Sequence, residues 1–365
     1  MPPTPDNQPY FPPPESKGGW RWLMDADEVR SLGGMDPLKL ELLHPAQEEE
    51  HAGDSWSIAI IRHGYLVKEI HTFNVLVPTR FDVWSCTKSF TGTAWGFVFD
   101  DSRQDHLPGG MHVELDTPAY LFIPEGYPLS DPRKERITFR HLLSMTSGIL
   151  GEAAGVVGIP TATDQGPFEH ALGRCPNRYG KWADRLAGDP GTHWEYSDPA
   201  ICHLALAFAR IMGKEMEAVL QERVCTPIGI ESLSWDIQGG SGFIGPHTNA
   251  HTGVHISARE FARLGYLYLH QGVWDGHSII PGWWRELSTQ QSQELNPEYG
   301  YTWWVNNQGT RWPELPRDTY AASGYRSNRC YIIPSLDLVV ARVGSGPTVW
   351  DEQYLMKSVV DAIVA

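Results

Sequence analysis

The chain has 365 residues, a formal charge of −15, and 41% hydrophobic against 20% charged content. That is the balance of a folded protein with room for two or three structural units. So acidic a chain argues against nucleic acid and anionic membrane surfaces as partners, and no apolar run reaches a transmembrane length.

The amino terminus has no basic start followed by an apolar core, so no secretory signal is expected. Five cysteines (Cys86, Cys175, Cys202, Cys225, Cys330) are scattered, odd in number and form no C-x-x-C pair. They suit buried free thiols in a reducing compartment. The expectation is a soluble, cytoplasmic protein, a monomer or small homo-oligomer.

In chain order, residues 1–19 are rich in proline and polar residues and read as an extended arm. From Trp20 to about His51 the pattern is partly helical, with Asp36 as an N-cap, Pro37 at the first helical position, and Glu48-Glu49-Glu50 as a solvated helix face. "SWSIAIIRHGYLVKEI" (55–70) places apolar runs on either side of Arg62-His63-Gly64, a hairpin signal. "VWSCTKSFTGTAWGFVFD" (83–100) is apolar and aromatic, and Thr91, Gly92, Thr93, Ala94 and Gly96 are small enough for close packing. Residues 101–245 are loop-rich and helical, clearest in "ITFRHLLSMTSG" (137–148) and "PAICHLALAFARIMG" (199–213). "RCYIIPSLDLVVARVG" (329–344) repeats the hairpin design around Pro334-Ser335, and about 350–364 has helical spacing.

Strands near both ends, with helices between, predict an α+β protein. The strands suggest one sheet built from both ends of the chain, around a loop-rich, mainly helical middle. The boundaries are 20–100 with 246–365 for the sheet domain and 101–245 for the helical one. The 15 tryptophans cluster in part at Trp283-Trp284 and Trp303-Trp304. Most read as core and some as the wall of an apolar pocket.

Lys88 stands among Cys86, Phe90 and Trp95, where an ammonium is costly to desolvate unless paired. Ser85 lies three residues before it, so on a helix hydroxyl and amine share a face. With Asp82 as N-cap, Ser85 falls in the first turn, where its backbone N–H has no intrahelical partner and can face a developing oxyanion. Serine needs a base, and a lysine in apolar surroundings can supply one. A helix that merely carries both residues is the bland alternative.

Two further stretches change that balance. "PGTHWEYSDPA" (190–200) sets Tyr196 and Asp198 just before an apolar helix, with Asp198 as its N-cap. "YAASGYRSNRCYIIPSLDLVV" (320–340) runs from small residues into the last hairpin. Taken together, Ser85-Cys86-Thr87-Lys88, Tyr196-Ser197-Asp198 and Ala322-Ser323-Gly324 resemble the three ordered motifs of the serine β-lactamase and penicillin-binding-protein superfamily. The likeness is to its class C-type branch of esterases, D-aminopeptidases, aminohexanoate-oligomer hydrolases and acyltransferases. Segments 137–148, 253–274 and 332–344 support it, and it spans about residues 50–360.

The resemblance implies an antiparallel sheet built from both chain ends and flanked by helices, with a mainly helical domain inserted. It also implies a serine hydrolase that cleaves a small ester or amide through an acyl-serine, without cofactor or metal. It makes Ser85 the nucleophile and Lys88 and Tyr196 its catalytic partners, either of which could serve as the base. The Ser85 and Tyr325 backbone N–H groups would form the oxyanion hole, with Ser323 and Gly324 on the adjoining strand.

Two departures matter. Asp198 replaces the usual asparagine. Its carboxylate would hold Lys88 as ammonium, and that ammonium in turn would favour a Tyr196 phenolate. This points to Tyr196 as general base and then acid, and to Lys88 as a charged organiser. Ala322 replaces the lysine that would pair with a β-lactam carboxylate, so dedicated antibiotic hydrolysis is not expected. Arg326 and Arg329 are candidate partners for an acidic substrate group, or else solvated strand charges.

His247, His251 and His255 fall at i, i+4 and i+8, a metal-ligand spacing on a helix. Their segment, rich in Pro, Thr, Asn and Gly, is a poor helix. It reads as a loop at the cleft, with His255 as a substrate contact. The other readings are an acyltransferase using the same acyl-enzyme, and a non-catalytic binding protein on this fold. The latter should have lost Ser85, Lys88 or Tyr196, and all three are present.

Overall fold

Strand alternation sets the architecture. Along Ser55–Arg62, Trp56, Ile58 and Ile60 enter one apolar cluster while Ala59 and Ile61 enter another, so this strand is buried on both faces. The structure is a computed structural model that describes residues 9–43, 55–72, 74–156, 166–239, 244–345 and 352–364. Its main sheet has six antiparallel strands, in the order Trp304–Val305, Tyr320–Gly324, Asn328–Ile333, Leu338–Ser345, Ser55–Arg62 and Tyr65–His71. The two ends of the chain meet where Ser55 lies opposite Ser345 and Arg62 opposite Leu338.

Both expected hairpins are present. His63 and Gly64 join the first pair of strands with φ of 52° and 81°, the positive values a two-residue turn needs to follow strand twist. The second hairpin turns through Pro334–Leu336. Helices Ala26–Ser31, Pro37–Glu41 and Glu352–Asp361 cover one face of the sheet. Asp36 caps the second of these, accepting from the Leu38 N–H at 2.9 Å, with Pro37 in the first turn. Helix Ala258–Leu269 covers the other face, burying Phe261 and Leu264.

The described part of the arm packs across that second helix. The Phe11 ring lies 5.6 Å from Tyr266, and Arg263 donates to the Pro12 carbonyl at 3.1 Å. Residues 1–8 and Glu48-Glu49-Glu50 lie outside the described residues.

Beyond helix Ala258–Leu269 lies the central helix, Thr87–Arg103, buried on every side from Thr87 to Phe99. Its small residues have definite neighbours. A Cβ on Gly96 would come within 2.6 Å of the Trp284 indole nitrogen, and Trp284 donates that N–H to the Gly92 carbonyl at 2.8 Å. The helical region contains Phe139–Leu143 and Asp198–Met212, the latter packed against the central helix.

Two expected caps are corrected. Ser197, not Asp198, caps helix Asp198–Met212, its hydroxyl accepting from the Ala200 N–H at 3.1 Å. Serine has the short side chain that reaches back to the helix N–H groups, which leaves the Asp198 carboxylate free to point elsewhere. Asp82 does not cap the central helix. Its carboxylate accepts from the Trp84 N–H at 2.8 Å, closing a local turn before a short 3₁₀ segment, Trp84–Cys86.

Candidate active site

Ser85 sits in that 3₁₀ segment, one turn ahead of the α-helix proper. Trp84 enters it with φ of 52°, a value rare for a bulky residue. Asp82 takes the Trp84 N–H rather than that of Ser85.

Lys88 is 1% exposed. Its ammonium donates to Ser85 Oγ at 2.8 Å and to the His251 carbonyl at 3.1 Å. It also forms an ion pair with Asp198 Oδ1 at 2.8 Å. Hydrogen bonds together with an ion pair are what a buried ammonium requires. Burial opposes the charge, but Asp198 and Tyr196 together outweigh it and hold the Lys88 pKa above the ordinary lysine value. Burial pushes the Asp198 carboxyl upward, yet Lys88 and His251 bring it below the usual range.

Tyr196 completes the group, with Lys88 Nζ 4.8 Å from the centre of its ring. Burial raises the phenol pKa, and Lys88 offsets that only in part. At rest the group therefore holds an ammonium, a carboxylate and a phenol around one hydroxyl.

The Ser85 segment packs against strand Tyr320–Gly324. A Cβ on Gly324 would collide with the Val83 carbonyl and come within 3.1 Å of the Cys86 backbone nitrogen. Only glycine permits that approach. Ala322 is fully buried and faces the same apolar cluster as Val83 and Phe90. Ser323 alternates to the strand's other face, in register with Arg329. Tyr325 follows, exposed, its ring 5.3 Å from that of Trp84.

The remaining candidates have partners of their own. His255 pairs through Nε2 with Asp236 at 3.2 Å, on a short strand beside Asp82. Arg326 stands exposed at the tip of the hairpin, its guanidinium 5.8 Å from the Tyr325 ring centre. Arg329 is neutralised by Glu352, at 2.8 and 3.0 Å.

His247, His251 and His255 bond separately to Glu215, Cys202 and Asp236. Among the described residues no group of three or more His, Cys, Asp or Glu is placed to hold a metal. All five cysteines are buried and none is in a disulfide.

Several residues of the site were not assigned to the Ser85 group from the sequence. His251 supports Lys88 through its carbonyl, and burial pushes its imidazole down to about 4 despite the nearby Asp198. Its 3.5 Å contact with Cys202 joins two distant segments, which no local spacing reveals. Tyr299 and Trp304 pack on Tyr196 with ring centres 6.3 and 5.9 Å away. Arg311 lies 3.7 Å over Trp304. Of the two tandem tryptophans, Trp303 is core and only Trp304 reaches this wall. Glu152 joins from the loop beside Tyr196, its N–H donating to the Tyr196 carbonyl at 3.0 Å. Burial, and then Asp198, raise its carboxyl pKa.

A sequence model of the Beta-lactamase family matches residues 47–354. The chain belongs to the Beta-lactamase family. It is 32% identical over 287 residues to an uncharacterized protein of Alkalihalophilus pseudofirmus, covering 72% of this chain and 73% of that one. Among solved structures, a putative beta-lactamase from Bacteroides dorei superposes with a TM-score of 0.64 at 15% identity, covering 85% of this chain and 93% of that one. A putative 6-aminohexanoate-dimer hydrolase from Bacillus anthracis gives 0.64 at 19% identity, covering 97% and 88%. The α+β beta-lactamase fold, with its mixed helices and antiparallel sheet, is thus the fold of this chain. Beta-lactamase family membership indicates a serine hydrolase of that superfamily. No described helix is long and apolar enough to cross a membrane.

Proposed function

We propose that this beta-lactamase family member hydrolyses a small ester or amide through an acyl-Ser85 intermediate. The observation that carries the reading is the Ser85 hydroxyl held at 2.8 Å by a Lys88 ammonium that Asp198 keeps charged. An ammonium cannot accept the serine proton. One proton must therefore leave the coupled Lys88–Tyr196 pair before Ser85 attacks. Removing it from Tyr196 leaves a phenolate beside an ammonium and preserves the Asp198 ion pair. Removing it from Lys88 would strand the Asp198 carboxylate without its counter-ion.

Tyr196 then takes the Ser85 proton as Oγ bonds to the substrate carbonyl carbon. The carbonyl oxygen becomes an oxyanion facing the Ser85 and Tyr325 backbone N–H groups. Tyr196 returns the proton to the departing alcohol or amine. Water repeats the sequence on the acyl-serine and releases the acid. Substrate contacts by His255 and Arg326 belong to the same reading, whereas Ser323 is turned to the strand face away from Ala322 and Val83 and is left out of it. Arg326, exposed at the hairpin tip beside Tyr325, is the stronger candidate of the two, since His255 is already paired with Asp236.

Intact-mass analysis after exposure to a fluorophosphonate and to activated esters tests the proposal. The expected result is one adduct, mapped to Ser85 and absent from Ser85→Ala. An adduct retained by Ser85→Ala would assign the chemistry to another residue.

A further inference from the structure

Arg329 makes an arrangement that neither a substrate-binding cation nor a solvated surface charge explains. Its Nε and Nη2 bind the Glu352 carboxylate at 2.8 and 3.0 Å, a two-point fork. Its Nη1 donates to the Gly324 carbonyl at 2.7 Å and to the Asn328 carbonyl at 2.8 Å. The side chain is 15% exposed and Glu352 24%. A guanidinium is a rigid plane, so an anchored fork also fixes the direction of the third nitrogen.

The Gly324 carbonyl and the Tyr325 N–H belong to one peptide unit. That unit is planar and trans, so the two groups point in opposite directions. Whatever holds the carbonyl also aims the N–H. The same unit abuts the Ser85 segment, because Gly324 packs against the Val83 carbonyl and the Cys86 nitrogen. Asn328 ties the neighbouring carbonyl, its Nδ2 donating to the Tyr325 oxygen at 2.7 Å.

We infer that Arg329, anchored by Glu352, is a positioning residue that aims the Tyr325 N–H at the substrate oxyanion. The inference rests on the acyl-Ser85 reading. It makes Arg329 remote from substrate and links the carboxyl-terminal helix to the rate of the chemical step. An oxyanion-hole donor is worth about 10²–10³ in kcat when removed. Letting one lose its direction is expected to cost about 10- to 100-fold.

The test compares Arg329→Ala, Arg329→Lys and Glu352→Gln on Ser85-dependent p-nitrophenyl ester turnover, with folding followed by circular dichroism and melting temperature. In Arg329→Ala, kcat is expected to fall about 10- to 100-fold with KM within about threefold. The affinity of an alkyl boronic acid, which forms a tetrahedral adduct with the serine, should fall by a similar factor. Added guanidinium should restore part of kcat. Arg329→Lys keeps the charge without the fork and should show the same loss. It carries the test if the alanine variant does not fold. Glu352→Gln should lie between these variants and wild type.

A folded Arg329 variant with unchanged kcat and unchanged boronic acid affinity overturns the inference. So does a loss confined to KM or to melting temperature. If Ser85→Ala keeps the ester activity, the acyl-Ser85 reading fails instead, and the two failures are told apart.

Discussion

The Lys88 ammonium and the Asp198 carboxylate lie 2.8 Å apart, with the lysine 1% exposed and the aspartate 18%. Removing one member of a buried ion pair leaves an uncompensated charge, at a cost of about 3–5 kcal/mol. Lys88→Met should therefore lower the melting temperature clearly. Adding Asp198→Asn to it should recover most of the loss, because the stranded carboxylate goes with its partner. Thermal denaturation of the single and double variants reads this coupling. Strictly additive losses would show that the pair is not energetically coupled.

Gly324→Ala probes the contact between the last hairpin and the Ser85 segment. The added methyl meets the Val83 carbonyl, which is backbone and cannot swing aside. The strand must shift, and a displacement of about 1 Å near reacting groups costs on the order of 10²-fold in rate. The expected result is a large fall in kcat with a folded protein by circular dichroism. Wild-type kcat in this variant would mean that the strand's distance from Ser85 does not matter to the reaction.

The fold was legible because it is written in local patterns. Trp56, Ile58 and Ile60 alternate with Ala59 and Ile61, Asp36-Pro37 marks a helix start, and His63-Gly64 marks a turn. The proximity of Ser85 and Lys88 followed from their spacing alone. What the sequence hid depends on contacts across long separations. Ser197 and Asp198 are adjacent and both suited to capping, and only the position of Lys88 decides that serine caps while aspartate pairs. His251 and His255 look alike in a polar loop, yet a carbonyl bond to Lys88 ties the first to the Ser85 group while the second pairs with Asp236. Arg329 became interpretable only when Glu352 appeared beside it.

Ala322 bears on substrate choice. It faces the cluster containing Val83 and Phe90 and carries no charge, while Glu152 adds a carboxylate near Asp198. An anionic substrate loses a pairing there and meets like charge. Short-chain esters should be turned over at least ~10-fold better in kcat/KM than benzylpenicillin, as expected for one missing charge-assisted bond. Comparable values for the two would remove Ala322 from the argument.

Lys134 offers a prediction about stability. It is fully buried, donates to the Leu172 and Ala183 carbonyls at 3.4 and 3.1 Å, and burial brings its pKa down to about 8, against the opposing pull of Asp131. Between about 8 and the ordinary lysine value the unfolded chain binds a proton that the folded one does not. Stability from this group therefore rises with pH across that window and is flat below it. Chemical denaturation of wild type and Lys134→Met from pH 7 to 10.5 should give a difference that grows in favour of wild type as pH rises. A difference independent of pH would show that Lys134 does not titrate there.

Asp198 gives the sharpest test of the proton bookkeeping. Its carboxylate helps hold both Lys88 and Tyr196 above their ordinary values. If Ser85 attacks only after the pair loses one proton, kcat/KM rises with pH through that loss. It falls again when the second proton leaves. Asp198→Asn removes one negative charge from the group, so both protons should leave more readily and both limbs should move to lower pH. Loss of a helix cap does not confuse the result, because Ser197 supplies the cap. Asparagine keeps nearly the same shape beside Lys88, so a moved profile reports charge rather than packing. The measurement is kcat/KM for one neutral ester across the pH range in both proteins, with the Ser85→Ala rate subtracted. Superimposable profiles with equal kcat would take Asp198 out of the mechanism and make Lys88, not Tyr196, the better candidate for the base.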